Sequence, residues 1–105
     1  MRRVRLRRDA EESLIDIYLR SLEYFGLQQA ERYQQGLGDI FLLIAEQPMM
    51  GQPSDDIVPG TRRHVWKAHV IYYVVEEDGI RIIDILGAGR DPVRAVRPQS
   101  GEDAG

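Results

Sequence analysis

The chain contains no cysteine. That excludes a disulfide framework and any thiolate metal site. It has two histidines, His64 and His69, and neither stands near a matched acid at a metal-ligand spacing. Neither a metal nor a cofactor is therefore expected. No apolar run approaches the roughly 20 residues that a membrane span needs. The Arg-rich start lacks the apolar segment of a secretory signal. A soluble, cytoplasmic protein with no membrane partner is expected.

What is present suits a single small globular domain. The 105 residues are 43% hydrophobic and 30% charged, a balance that separates folded domains from disordered chains. The net charge of −3 hides segregation. Five arginines and no acid occupy residues 1–8, whereas ten acids face Arg20 and Arg32 over residues 9–56. Such asymmetry points to a charged partner or to solvated surface.

The stretch from Arg62 to Arg90 is dense in Val, Ile, Tyr and Trp, which favour strands. Asp78-Gly79 reads as a two-residue hairpin turn. That turn sets Glu77 opposite Ile80, Glu76 opposite Arg81, Val75 opposite Ile82, Val74 opposite Ile83, Tyr73 opposite Asp84 and Tyr72 opposite Ile85. One face then carries Tyr72, Val74, Ile83 and Ile85. The other carries Ile71, Tyr73, Val75, Ile82 and Leu86, with Asp84 the polar exception. Both faces are largely apolar, so both need cover.

Ahead of this stretch, Val4 and Leu6 alternate with arginines and predict a short strand. Asp9 with Glu12 suggests a helix cap. Leu14, Ile15, Tyr18, Leu22 and Phe25 recur at helical spacing as one apolar face, and Gly26 suits the helix end. A second helix is predicted over 27–46, with Ala30, Tyr33, Leu37, Ile40, Phe41 and Ile44 as its stripe. The short connection makes an antiparallel hairpin. Gly36 and Gly38 each cost about 1 kcal/mol there relative to Ala. They imply close approach by a neighbour or a partner, or a bend. Residues 47–61 read as a loop in which Met49, Met50, Ile57 and Val58 tuck against the core. Three strands follow, at about 61–67, 69–77 and 79–86, and then a short docked segment through Val93 and Val96. The expected fold is α+β: an N-terminal strand, and a helical hairpin packed on a mostly antiparallel sheet of three to four strands. Residues 1–97 form the domain and 98–105 a flexible tail.

The densest polar cluster is Arg62, Arg63, His64, Lys67 and His69. It suits phosphate binding, acid–base chemistry by a histidine, or plain solvent exposure. Arg81 is explained by Glu76, whereas Arg90 has no evident partner beyond Asp91. Asp84 opposite Tyr73 reads as a carboxylate satisfied by a hydroxyl. Gly87-Ala88-Gly89 is not a phosphate loop, since no amphipathic helix opens after it.

Several segments, in order, resemble the ParE branch of the RelE/ParE toxin superfamily, the toxin half of bacterial type II toxin–antitoxin modules associated with plasmid stabilisation. They are Leu14-Ile15-Asp16-Ile17-Tyr18, Tyr24-Phe25-Gly26-Leu27-Gln28-Gln29-Ala30, Ile44-Ala45-Glu46-Gln47-Pro48-Met49-Met50-Gly51-Gln52-Pro53, Gly60-Thr61-Arg62-Arg63, His69-Val70-Ile71-Tyr72-Tyr73 and Ile85-Leu86. The match spans about residues 3–96. The resemblance implies the fold above and a ParD-like antitoxin that covers the open surface, with Tyr72, Val74, Ile83, Ile85, Tyr18 and Phe41 as candidate antitoxin contacts. DNA would be met only through that antitoxin. The resemblance also implies DNA gyrase as the target, with Arg62, Arg63, His64, Lys67, His69 and Arg90 as candidate target contacts and no catalytic residue. RelE-like relatives instead cut mRNA on the ribosome with a Tyr or His near the C-terminus, and here no Tyr, His or Lys follows Tyr73. One departure stands out. Where ParE-like chains often read Leu-His-x-Arg-x-Asp, this chain has Leu86-Gly87-Ala88-Gly89-Arg90-Asp91. A detoxified antitoxin-binding homologue is thus a third possibility.

Overall fold

The computed structural model describes residues 2–55 and 58–87. The expected 98–105 tail, Arg90, Val93, Val96 and Ile57 lie outside the described residues. The order is β1 (Arg3–Leu6), α1 (Arg8–Phe25), α2 (Leu27–Glu46), a 3₁₀ turn (Pro48–Met50), β2 (Gln52–Pro53), β3 (Thr61–Trp66), β4 (His69–Glu76) and β5 (Gly79–Gly87). The strands form one sheet in the order β1-β5-β4-β3-β2. β1 lies parallel to β5, and the other pairs are antiparallel. The fold is the expected α+β arrangement. The two-residue β2 adds a fifth strand that the sequence pattern does not announce.

The α1–α2 hairpin turns at one residue. Gly26 has φ 90°, a left-handed value open to glycine. It closes α1 through its N–H to the Leu22 carbonyl and opens α2 by accepting from Ala30 N–H. At the other end of α1 the N-cap position is Arg7, with no side-chain cap. Asp9 instead sits in the first turn, where its charge favours the helix dipole.

The core lies between the hairpin and the sheet. Ala10, Ile17, Leu37, Phe41, Ile44 and Ala45 meet Ile71, Tyr73, Ile80, Ile82 and Ile85. Burying each larger side chain contributes about 1.5–3 kcal/mol. The α2 stripe is the expected one. The α1 stripe is not: Ala10, Leu14 and Ile17 face the core, whereas Ile15, Leu22 and Phe25 are exposed. In the loop, Met50 packs on the core while Met49 and Val58 are exposed.

The β4–β5 register also departs from expectation. Glu76 pairs with Gly79, Val75 with Ile80 and Tyr73 with Ile82, so the turn is Glu77-Asp78. Gly79 has no positive φ. Its missing Cβ serves β1 instead, because a Cβ would run into the Arg3 backbone. Arg3 N–H also donates to the Asp78 carbonyl at 2.8 Å. A bulge then shifts the pairing between Tyr73 and Tyr72, leaving Ile83 without a partner and setting Tyr72 opposite Asp84 and Ile71 opposite Ile85. Bulges re-aim side chains, and this one turns Ile85 inward to the core.

Candidate functional site

Three surfaces carry the chain's polar chemistry. The first is the outer sheet face near β1. Arg5 Nη1 lies 3.1 Å from Glu76 and 2.9 Å from Asp78, and Arg81 Nε lies 2.7 Å from Glu76. The Arg5 hydrogen bond holds the Asp78 carboxyl below its ordinary range. The Glu76–Arg81 pair was legible in the sequence, although Glu76 stands opposite Gly79 and reaches Arg81 diagonally. β1 brings Arg5 into the group, and no sequence spacing foretold that.

The second surface is the sheet end at the β3–β4 turn. Lys67 has φ 53°, left-handed for a non-glycine residue, a conformation that costs on the order of 1 kcal/mol. Its ammonium sits 4.9 Å from the Trp66 ring centroid and 5.9 Å from that of Tyr33, an attraction that offsets such strain. Trp66 lies on Gly36, where a Cβ would come within 2.7 Å of the indole. That close approach accounts for Gly36. The Tyr33 hydroxyl and His69 Nδ1 are 2.7 Å apart. Burial raises the Tyr33 pKa, against a hydrogen bond from the Ala68 backbone, and burial lowers that of His69. Both shifts favour the uncharged forms, a phenol and an imidazole that share one short hydrogen bond.

The third is a cleft of about 600 Å³ between α1 and β5, lined by Ser13, Tyr24, Phe25, His69 and Asp84 among others. Asp84 lies where β5 continues past the end of β1. Its carboxylate accepts from Ser13 Oγ at 2.6 Å and from Ile85 N–H at 2.8 Å. Burial raises its pKa, assisted by the Asp9 charge and opposed by those two hydrogen bonds. Tyr73 is not its partner. The Tyr73 hydroxyl donates to the Pro48 carbonyl at 2.7 Å and accepts from Gly51 N–H at 3.0 Å.

The expected basic cluster does not form one site. Strand alternation divides it. Arg62 and His64 share the helix side with their partners Tyr73 and Ile71, while Arg63 pairs with Tyr72 on the other face. Arg62 binds the Met49 and Gly51 carbonyls at 3.2 and 2.6 Å and so fastens the loop that Tyr73 also holds. Lys67 and His69 sit together at the sheet end. The candidate antitoxin contacts also divide. Phe41 and Ile85 are buried in the core, Tyr72 is buried outside that core cluster, Val74 and Ile83 are half-buried, and Tyr18 lies on the hairpin. Two features escaped the sequence reading, the Tyr33–His69 contact and the exposed outer stripe of α1. Among the described residues no group of three His, Asp or Glu could hold a metal, and no helix is long and apolar enough to cross a membrane.

Residues 4–92 match the family model described as "ParE toxin of type II toxin-antitoxin system, parDE". Toxin ParE1 of Caulobacter vibrioides is 38% identical over 82 residues, covering 78% of this chain and 82% of that protein. A solved structure described as the chromosomal ParDE TA system from P. aeruginosa shares the fold. Its TM-score is 0.70 at 20% identity, over 83% of this chain and 96% of that one. With the family model spanning most of its length and a similar relative named as a toxin, the chain belongs to the ParE toxins of type II toxin–antitoxin systems.

Proposed function

We propose that this toxin is neutralised by a ParD-like antitoxin and acts in the cytoplasm by binding DNA gyrase, without cutting RNA itself. The observation that carries the choice of target is the commitment of the sheet's polar side chains to the chain's own groups. Arg5 and Arg81 are engaged by Glu76 and Asp78, Arg62 by backbone carbonyls, and His69 by Tyr33. A phosphate-cleaving site needs cations aimed at the charge that develops in the transition state. Here the guanidinium groups of Arg5, Arg62 and Arg81 are spent on holding strands and loops together. Inhibition by binding needs only an accessible surface, and the exposed side chains of Tyr24, Phe25, Val65 and Lys67 provide one.

The test is induced expression without antitoxin, with plasmid topology and total RNA sampled from the same culture. The expected result is growth arrest with altered topology and intact transcripts. Cleaved transcripts with unchanged topology would overturn the gyrase reading in favour of a nuclease. Absence of arrest from well-expressed protein would overturn it in favour of a detoxified homologue.

A further inference from the structure

The cleft between α1 and β5, of about 600 Å³, has the volume of a binding site. Its length is set by α1. Glu12 and Phe25 both line it, and between them the helix rises about 20 Å, the reach of roughly six extended residues. Gly87 lies on its β5 side, opposite His69 of β4. Gly87 has no left-handed φ, and nothing lies within 4 Å of where its Cβ would be. Neither a turn nor a described neighbour requires glycine there. Its missing side chain keeps the cleft open.

Both ends of the cleft favour positive charge. Toward the start of α1, Asp84 accepts from Ser13 Oγ and Ile85 N–H but forms no ion pair among the described residues. Burial works against its charge, and an incoming cation would relieve that cost. Glu12 beside it also has no ion pair among the described residues, and Arg20 at the cleft wall is taken by Asp16 at 3.0 Å. Toward the end of α1, Tyr24 and Phe25 keep 73% and 68% of their surface exposed. Aromatic faces attract cations. The last turn of α1 carries no basic residue, so the negative end of the helix dipole stays uncompensated there.

These walls select the occupant. The carboxylates repel nucleic-acid phosphate. A small cation would fill one end of a cleft this long and leave the other empty. A chain segment with a Lys or Arg toward each end would find complementary charge at both. Its stems would lie along apolar wall while its charged heads met the acids and the rings. We propose that the α1–β5 cleft receives a basic segment of the target protein, with one Lys or Arg between Glu12 and Asp84 and a second against Tyr24 and Phe25. This rests on the gyrase reading above. It places the target contact in the acidic cleft rather than at the basic sheet end around Lys67.

Binding of the full-length toxin to purified DNA gyrase, measured by biolayer interferometry, tests it. Gly87→Leu fills the cleft at a position where the fold has room for a side chain, and Glu12→Lys reverses a charge on its wall. Met49→Gln removes an exposed apolar side chain elsewhere. Circular dichroism melting and titration with the antitoxin encoded beside this toxin confirm that each variant is folded. The expected result is about tenfold weaker gyrase binding for Gly87→Leu, a smaller loss for Glu12→Lys that shrinks as salt is raised, and no change for Met49→Gln. Wild-type gyrase affinity in both folded cleft variants would overturn the cleft assignment and leave the gyrase reading standing. A wild-type toxin that binds no gyrase would overturn both. Loss of antitoxin affinity with gyrase affinity unchanged would overturn the choice of partner in favour of the antitoxin. A wild-type dimer by sedimentation that Glu12→Lys dissociates would overturn it in favour of a second copy. Unchanged gyrase affinity, with equal and non-additive falls in melting temperature for Glu12→Lys and Arg94→Glu, would overturn it in favour of the chain's own Arg94.

Discussion

On the inner face of the α1–α2 hairpin, Ala10, Leu37 and Ile44 have no exposed surface. On its outer face Ile15, Leu19 and Leu42 each keep more than half. The residue types are much the same, so hydrophobicity alone does not divide the faces. Neighbours do. The inner residues meet Ile71, Tyr73, Ile80 and Ile82 of the sheet, whereas no described element covers the outer ones. Inner residues stabilise the free toxin, and outer ones are available to a complex. Large exposed apolar patches on small proteins mark such interfaces.

The sharpest way to break that comparison is to truncate one leucine on each face. Leu37→Ala removes a fully buried side chain and should cost about 2–5 kcal/mol. Leu19→Ala removes one that is 55% exposed and should change the stability of the free toxin by no more than about 0.5 kcal/mol. Urea unfolding of the two variants measures both. Equal losses would mean that the outer face is covered within the chain itself.

Two glycines in the same helix give a smaller contrast of opposite sign. Gly36→Ala drives a methyl to within 2.7 Å of Trp66 and must displace the ring from its place against Tyr33 and Lys67. A loss of about 1–3 kcal/mol is expected. Gly38→Ala meets open space and should stabilise the free toxin by about 0.4–1 kcal/mol, by restricting the unfolded chain and favouring helix. Thermal melts of the two variants should move in opposite directions. Parallel shifts would mean that Trp66 yields freely, and that the aromatic cluster is less tightly packed than its geometry implies.

Much of this contrast could be read in the sequence, and the reasons for the remainder are physical. The α2 stripe was legible because its apolar residues occupy one arc, from Ala30 to Ile44. α1 was not, because Leu14 and Ile17 on one side and Ile15, Leu19 and Leu22 on another are all apolar. Periodicity reports that a face is hydrophobic, not what covers it. The β4–β5 hairpin was legible, but its register was not. Asp78-Gly79 has the composition of a turn, yet the glycine is needed by β1, which is more than seventy residues away in the chain. Ile83 then drops out of the pairing in a bulge that no local pattern announces. At the candidate site, consecutive basic residues on one strand had to alternate between faces, so the division of Arg62 from Arg63 was implicit. The Tyr33–His69 contact joins residues from separate elements and left no spacing to find.

The smallest predicted effects concern pH, and they separate the cleft from the sheet end. Asp84 is half-buried with a raised pKa. Its folded state holds a proton more tightly than the unfolded chain, so it contributes most below the ordinary carboxylate range and loses that contribution as pH rises through the raised value. Asp84→Asn keeps an oxygen to accept from Ser13 and Ile85 N–H and removes the charge. It should therefore leave stability at neutral pH unchanged or slightly higher, and flatten the pH profile on the acid side. His69 works in the opposite direction. Its pKa is lowered by burial, so the neutral ring's contribution is present above the ordinary histidine value and is lost as pH falls from there through the lowered value. Tyr33→Phe removes the hydroxyl 2.7 Å from Nδ1, and the His69 titration, followed by NMR of the ring protons, should shift. Unfolding free energies measured across the acid range on wild type, Asp84→Asn and His69→Gln resolve the two contributions. The histidine variant should lose the decline nearest neutrality, while the aspartate variant alters only the more acidic limb. A profile unchanged by Asp84→Asn would mean that water reaches this carboxylate as freely as it reaches the exposed acids of the outer hairpin.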